Sequence, residues 1–299
     1  NELDSVDKQS GMLVLPRDHV PNYDLFHWDD WRTVAYRTYV VTERAFFVKF
    51  KEYEVLKKSF LSSVVCSLFL GYFMLNQGDF GDYCLSLLGF PYDEVTNIGA
   101  NLFLMIAVLF VMQVLNVYII CQKLQTFRYE RSSKCCPAVG FWLAIFVSEV
   151  PFAIFFGLIF SNISYFMMSL KSSADDYFFY MGVHIFVSII GVTTAVLFAA
   201  TFRREIVVRD LYLCVTFMMV MTSGFVFQIP TMEENIVDIA EINPLRWAYE
   251  GLMVWEFEDY PDGDTHLANY GFENFEKKKV FTILLNFIIF DMVLLLLVL

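Results

Sequence analysis

Apolar and polar residues alternate along this chain in long blocks. Six apolar runs, separated by polar segments, occupy residues 59–75, 97–121, 140–168, 177–202, 211–229 and 280–299. A helix that crosses a bilayer needs about 20 apolar residues, with a range of about 17–25. Hydrophobic residues make up 57% of the chain, which is more than a soluble domain of this length requires. The pattern therefore predicts an all-α membrane protein with six transmembrane helices over residues 59–299.

The polar segment Gln122–Pro137, between the second and third runs, sets the predicted orientation. Its single acid is Glu130, and its basic residues are Lys123, Arg128, Arg131 and Lys134. Basic loops between spans lie on the cytoplasmic side of a membrane. Alternation of six spans then places both ends of this multi-pass integral membrane protein in the cytosol. The lysines at 277–279 fall at the outer end of the last span and are an exception to this rule.

Two segments precede the first predicted span. Residues 1–30 are polar and contain Pro16 and Pro21, which predicts a linker. Residues 31–58 are predicted to form an amphipathic connecting helix, because valines and basic residues each recur at seven-residue steps. The two rows are Val34, Val41, Val48, Val55 and Arg37, Arg44, Lys51, Lys58. Neighbouring apolar and basic rows favour a helix at the membrane surface; a solvated helix and a short coiled-coil seam are the alternatives.

The segment between the fifth and sixth runs, residues 230–276, concentrates the acidic charge. Much of the net charge of −12 arises here, where Arg246 is the single basic residue. Alternation of the spans places this segment outside the cell, as a large extracellular loop. Residues 243–257 within it have an amphipathic pattern, which predicts a helix before the last span.

Three ionisable residues lie inside apolar runs: Glu149, His184 and Asp291. A charge at the bilayer centre costs about 2.5–3.5 kcal/mol, so such residues are usually paired or functional. Pro151 removes a backbone donor two residues after Glu149, which predicts a polar anchor at a helix kink. A protonated or hydrogen-bonded glutamate is the alternative. We expect His184 and Asp291 to be helix-packing residues, with proton relays as the alternative.

Two other functions stay open at this point. An intramembrane enzyme would bring Glu149, His184 and Asp291 into one pocket. A six-span channel would need a polar stripe along a span, and no span has a continuous one. The sequence has no motif for a metal ion, a nucleotide phosphate or a catalytic nucleophile. We therefore expect no metal, cofactor or catalytic residue in this segment, and no nucleic-acid partner.

Four stretches resemble the membrane domain of ABCG-type (White and pleiotropic-drug-resistance) ATP-binding-cassette transporters. They are Gly99 with Phe103, the basic segment with Phe127–Arg131, Glu149–Pro151 followed by Tyr165–Met168, and Ile242–Phe257. Their order and spacing also match, and the resemblance extends from about Trp28 to the end of the chain. It implies a re-entrant outer helix before the last span. It further implies a nucleotide-binding domain, with its ATP and Mg, earlier in the same polypeptide.

The resemblance implies a function and a set of partners. The expected function is ATP-driven export of an amphipathic or lipidic substrate by alternating access, with ATP hydrolysis outside this segment. Two such halves would form a homodimer, a heterodimer or a pseudo-dimer in the lipid bilayer. The residues that would couple the spans to the nucleotide-binding domain are Lys123, Phe127, Arg128, Tyr129, Glu130 and Arg131.

The same resemblance assigns a cavity for a lipophilic small molecule and a gate above it. The cavity positions are Ile106, Ala107 and Phe110 of the second span and Leu213, Phe217 and Val220 of the fifth. The apolar outer gate falls on Phe225 and Val226. Because Ile106 and Ala107 replace polar residues of some relatives, the ligand is expected to make few hydrogen bonds.

Overall fold

The computed structural model describes residues 31–51, 53–75, 94–132, 138–168, 173–258, 263–272 and 279–299. The predicted linker 1–30 and most of the first predicted outer loop, residues 76–93, lie outside these ranges. The helices are α1 (Trp31–Lys51), α2 (Tyr53–Leu75), α3 (Glu94–Met112), α4 (Val114–Ser132), α5 (Ala138–Met168), α6 (Ala174–Thr201), α7 (Glu205–Met221), α8 (Glu234–Glu241), α9 (Pro244–Phe257), α10 (Gly263–Tyr270) and α11 (Lys279–Val298). The all-α prediction is confirmed, because the described part of the chain contains no β-strand.

Four helical stretches of the described chain are long and apolar enough to cross a bilayer. They are Ile98–Glu130, Ala138–Met168, Ala174–Thr201 and Lys279–Val298. The pair α1 and α2 gives a fifth candidate if the two are counted as one bent span. The predicted fifth span, 211–229, is helical only as far as Met221. The structure therefore supports several spans but does not establish the predicted number of six.

The predicted connecting helix 31–58 is divided in the structure. Helix α1 ends at Lys51 and α2 begins at Tyr53, so the helix that contains the first apolar run starts before the predicted Ser59. The chain bends by 62° between Ala35–Lys51 and Leu56–Tyr72. Both α1 and α2 pack against α5. The bend allows an apolar helix and a more polar one to contact the same span.

The basic segment after the second run is mostly helical rather than a loop. Residues 122–132 are the last turns of α4, and only residues 133–137 lie outside the described structure. The second span itself is broken at Gln113, between α3 and α4. The Tyr212 hydroxyl of α7 donates to the Phe110 carbonyl at 2.9 Å, next to this break. The Gln113 amide donates to the same carbonyl at 3.1 Å, so a backbone bond and a side-chain bond both satisfy it at this position.

Helix α6 is central in the bundle. It packs against α3, α4, α5, α7, α9 and α11. Its apolar residues are largely buried, and Gly191 lies so close to Gln113 that an added Cβ would be 2.7 Å from that side chain. Small residues permit such close helix approach inside a membrane.

Candidate functional site: the helix junction at Glu149

Glu149 of α5 connects three helices. Its Oε2 accepts a hydrogen bond from Lys49 Nζ of α1 at 2.7 Å, and its Oε1 accepts one from Lys123 Nζ of α4 at 2.7 Å. The Glu149 side chain is only 3% exposed. Charge-assisted hydrogen bonds of this length are strong, and a buried carboxylate needs them to offset its lost hydration. In the structure Glu149 is a hydrogen-bonded carboxylate, and α5 continues as a helix through Pro151; the polar anchor at a kink stays a prediction.

Lys49 is the residue of this site that the sequence analysis missed. It belongs to neither the valine row nor the basic row of α1, and it is 2% exposed. The buried side of α1 follows Val41, Ala45 and Lys49, at steps of four residues, whereas Val48 is exposed. Two features of the sequence could have pointed to Lys49. It follows Val41 and Ala45 at four-residue steps on one side of the helix, and an intramembrane glutamate such as Glu149 needs a basic partner.

A second ion pair joins α1 to α4. Arg44 Nη1 and Glu130 Oε1 are 2.7 Å apart, and Arg44 is about half exposed. Arg44 belongs to the basic row that was predicted to lie at the membrane surface. In the structure this member of the row is paired with Glu130 near the end of α4. The two helices are therefore connected at two levels, through Glu130 near the end of α4 and through Glu149 deeper in the bundle.

The remaining predicted coupling residues divide into two groups. Phe127 is buried and stacks on Phe141 of α5 with ring centroids 3.8 Å apart. Arg128 donates from Nη2 to the carbonyls of Ala199 at 3.1 Å and Ala200 at 2.8 Å, at the end of α6. Tyr129 is 76% exposed. Phe127 and Arg128 thus anchor α4 within the bundle, while most of the Tyr129 side chain is exposed; the side chain of Arg131 lies outside the described structure.

The predicted cavity residues lie in two different environments. Ile106, Ala107 and Phe110 are buried within the protein, and Phe110 stacks on Tyr212 with centroids 5.7 Å apart. Leu213 and Phe217 are exposed on α7, and Val220 packs partly against the core. The structure therefore does not bring the six residues onto one open face. Their role in ligand binding stays a prediction. Among the six, the exposed residues are Leu213 and Phe217 of α7.

The predicted gate residues lie in the turn that follows the end of α7. Phe225 is buried and stacks on Phe103 with centroids 4.9 Å apart, and Val226 packs partly against the core. Gly224 has φ of +93°, a conformation that a side chain would disfavour. Asn243 Nδ2 donates to the Met219 carbonyl at 2.6 Å, which connects the end of α7 to helix α9. The turn that carries the gate residues is thereby closely packed.

The three residues of the enzyme hypothesis have separate partners. Glu149 binds the two lysines, whereas His184 Nδ1 donates to the Tyr180 carbonyl at 2.9 Å. Asp291 Oδ2 accepts hydrogen bonds from the hydroxyls of Thr193 at 2.9 Å and Thr194 at 3.0 Å. Thr193 and His184 are nine residues apart on α6, or roughly 13 Å along the helix. The structure thus places His184 and Asp291 as hydrogen-bonded helix-packing residues, and the contacts do not unite the three in one pocket.

Helix α9 confirms the predicted helix at 243–257 and contains a buried ion pair. Arg246 Nε lies 3.8 Å from Glu250 Oε2, and both side chains are less than a tenth exposed. Neither atom has a hydrogen-bond partner in the described part of the chain. Burial raises the pKa of Glu250 from 4.5 to about 7, and the nearby Arg246 opposes that rise.

This pKa predicts a pH dependence of stability. The folded protein binds the Glu250 proton more tightly than the unfolded chain, so stability falls as pH rises from about 4.5 to about 7. The loss of stability is on the order of 3 kcal/mol at full effect. Thermal unfolding between pH 5 and pH 8 should show this decline, and Glu250→Gln should flatten it. An equally steep decline in the variant would exclude Glu250 as its source.

The fold and the polar junction define an integral, multi-pass, all-helical membrane domain with helices joined at the end of its second span. The family described as ABC-2 type transporter matches residues 36–257, and the chain belongs to this family. A relative is the multidrug resistance protein CDR2 of Candida albicans, 30% identical over 143 residues, which are 44% of this chain. The match covers 9% of that relative's length. The resemblance to ABCG-type membrane domains is thereby confirmed.

Proposed function

We propose that this chain is the transmembrane half of an ATP-driven exporter that moves an amphipathic or lipidic molecule by alternating access. ATP and Mg would bind to a nucleotide-binding domain of the same polypeptide, and a second transmembrane half would complete the transporter. The observation that carries this proposal is the junction of α1, α4 and α5 at Glu149. Through this junction α4, which carries the exposed Tyr129, contacts α5 directly.

The contacts suggest how motion would pass from a soluble domain into the bundle. A push on the end of α4 would act on α1 through Arg44 and Glu130, and on α5 through Lys123 and Glu149. It would also act on α6 through Arg128, which holds the last carbonyls of that helix. Hydrogen-bonded and packed elements move together because a close-packed interior resists local deformation. The end of α4 would therefore drive several spans at once.

The class of substrate is proposed from the accessible apolar residues and from the relative. Leu213 and Phe217 offer apolar surface and no hydrogen-bonding group. The relative's name describes multidrug resistance, which accords with a lipophilic small molecule as ligand. Both ends of the chain would lie in the cytosol, because the basic end of α4 then meets the nucleotide-binding domain.

The test of this function uses the complete polypeptide in proteoliposomes with a panel of lipids and lipophilic compounds. We expect some members of the panel to raise ATP turnover and to move across the bilayer. A cysteine placed beside Arg131 should be labelled only from the cytosolic side. Labelling from the external medium would reverse the topology and overturn the proposal.

Tyr129→Ala should reduce coupling without disturbing the bundle. An exposed aromatic side chain at a docking surface often contributes more than 1 kcal/mol, so we expect about tenfold less transport per ATP hydrolysed. The measurement is the ratio of transported substrate to released phosphate in the same vesicles. Gln125→Ala, exposed one turn earlier on α4, is the matched control and should keep the normal ratio. An unchanged ratio in Tyr129→Ala would remove Tyr129 from the docking surface.

A further inference from the structure

The hydroxyl of Tyr249 is a buried donor that the described chain leaves unpaired. Tyr249 of α9 is 0% exposed, and its hydroxyl has no hydrogen-bond partner in the ranges that the structure describes. Most buried polar groups in folded proteins are hydrogen-bonded, because an unmade bond leaves the cost of lost hydration uncompensated. A buried tyrosine hydroxyl usually finds such a partner. The unpaired hydroxyl of Tyr249 therefore opposes the packing that buries it.

Three phenylalanine rings contact the Tyr249 ring edge to face. The ring centroids lie 5.6 Å away for Phe103, 6.0 Å for Phe225 and 5.6 Å for Phe272. Beside the hydroxyl lies the backbone of α3, since a Cβ added at Gly99 would be 3.0 Å from the Tyr249 oxygen. Backbone groups inside an α-helix are already engaged in the bonds of that helix. Tyr249 is therefore enclosed by aromatic carbon around its ring and by a helix beside its oxygen.

The three phenylalanine rings belong to separate segments of the chain. Phe103 is on α3, Phe225 lies in the turn after α7, and Phe272 follows α10. Phe225 stacks on Phe103 with centroids 4.9 Å apart, and a Cβ added at Gly224 would be 2.9 Å from the Phe272 ring. The turn after α7 is thus in contact with both other rings. A movement of this turn away from α3 uncovers one side of Tyr249.

A second buried tyrosine, Tyr212 of α7, provides the comparison. It is also 0% exposed, and it also lies against a phenylalanine ring, that of Phe110, with centroids 5.7 Å apart. The Tyr212 hydroxyl, however, donates to the Phe110 carbonyl at 2.9 Å. The two tyrosines therefore share their burial and differ in the hydrogen bond of the hydroxyl. Loss of hydration is compensated at Tyr212 and is left uncompensated at Tyr249.

We propose that the Tyr249 hydroxyl biases the turn after α7 toward an open state in which this hydroxyl is hydrated. In the closed state the aromatic contacts stabilise the turn, and the unpaired hydroxyl opposes them. Withdrawal of the Phe225 ring brings water to the hydroxyl, which then makes its hydrogen bond. We expect the hydroxyl to raise the population of the open turn about tenfold, which corresponds to 1.4 kcal/mol. That the opening releases a transported molecule rests on the proposed function, in which Phe225 is a gate residue.

The test is hydrogen–deuterium exchange of the complete polypeptide in lipid nanodiscs, comparing the unaltered protein with Tyr249→Phe. The amides of Thr222 and Phe272 lie beside the turn and donate to backbone carbonyls at 3.0 and 2.9 Å. Their exchange should be about tenfold slower in Tyr249→Phe, because exchange follows the population of the locally open state. The Phe202 amide, bonded at the end of α6, should keep its rate. Unchanged or faster exchange beside the turn overturns the proposal.

Stability and transport supply two further readouts. Tyr249→Phe should raise the unfolding temperature, whereas Tyr212→Phe, which deletes a hydrogen bond that is made, should lower it. A lower unfolding temperature in Tyr249→Phe would reveal a partner for the hydroxyl and overturn the proposal. In proteoliposomes, Tyr249→Phe should transport a compound up to about tenfold more slowly, and equal transport would overturn the role in release. If neither protein transports any compound while exchange is slower in Tyr249→Phe, the proposed function fails and the bias of the turn stands.

Discussion

Glu149→Gln is expected to lower the free energy of unfolding by about 3–5 kcal/mol, the usual cost of leaving a buried charge without its partner. Glutamine keeps the shape but offers one acceptor and two donors. Lys49 and Lys123 would then share a single oxygen, and one ammonium would face an N–H group. Thermal unfolding of the purified complete polypeptide measures the loss. Transport should fall with it, because α1, α4 and α5 would no longer be joined.

Comparing the stability loss in Lys49→Met with that in Glu149→Gln tests the same junction more sharply. The buried group has two cations and one anion, so Lys49→Met leaves a balanced pair of Glu149 and Lys123. Lys49→Met should therefore be milder than Glu149→Gln, although it removes the 2.7 Å contact between Lys49 and Glu149 entirely. Arg44→Gln is the exposed control and should cost about 0–1 kcal/mol. Equal stability losses in Glu149→Gln and Arg44→Gln would contradict the central role given to Glu149.

Phe110→Ala should destabilise the protein by about 3–5 kcal/mol, the range for removal of a buried phenylalanine. Phe110 is 1% exposed and stacks on Tyr212, so alanine would leave a cavity beside the broken part of the second span. Lower folded yield and a lower unfolding temperature are the measurements. This expectation differs from the one that the family resemblance implies, in which Phe110 contacts the transported ligand.

Phe217→Ala separates a role in packing from a role in ligand binding. Phe217 is 60% exposed on α7, so its removal should change stability by no more than about 0.5 kcal/mol. We expect it to reduce the stimulation of ATP turnover by lipophilic compounds. If Phe110→Ala proved fully stable and lost only this stimulation, Phe110 would have to face the ligand in another conformation. The assignment based on burial would then be withdrawn.

Much of the helical architecture could be read from the chain, because a bilayer demands long apolar segments whatever they pack against. Helix α5 begins two residues before the predicted Gly140 and ends at the predicted Met168. The start of α9 was also visible, since Asn243 caps the helix by accepting from the Leu245 amide and Pro244 occupies its first turn. These features depend on local residues and on the solvent, both of which the sequence contains.

The candidate site was less accessible to the same reasoning. The sequence analysis singled out four charged residues because charges are conspicuous in or beside apolar runs. They are Glu149, Lys123, Arg128 and Glu130. Their partners were not found, because Lys49 is 100 residues from Glu149 and the Ala200 carbonyl is 72 residues from Arg128. Contacts over such separations depend on which helices become neighbours, and no local periodicity encodes that choice.

The amino-acid sequence by itself determined the solvent of this protein, the approximate limits of most of its helices and the presence of costly charges inside them. Tertiary structure alone decided which charges neutralise each other, where the second span breaks at Gln113, and that Phe110 faces inward while Phe217 faces outward. The physical reason is that local properties follow from the order of residues, whereas burial and charge pairing exist only after distant helices have packed together.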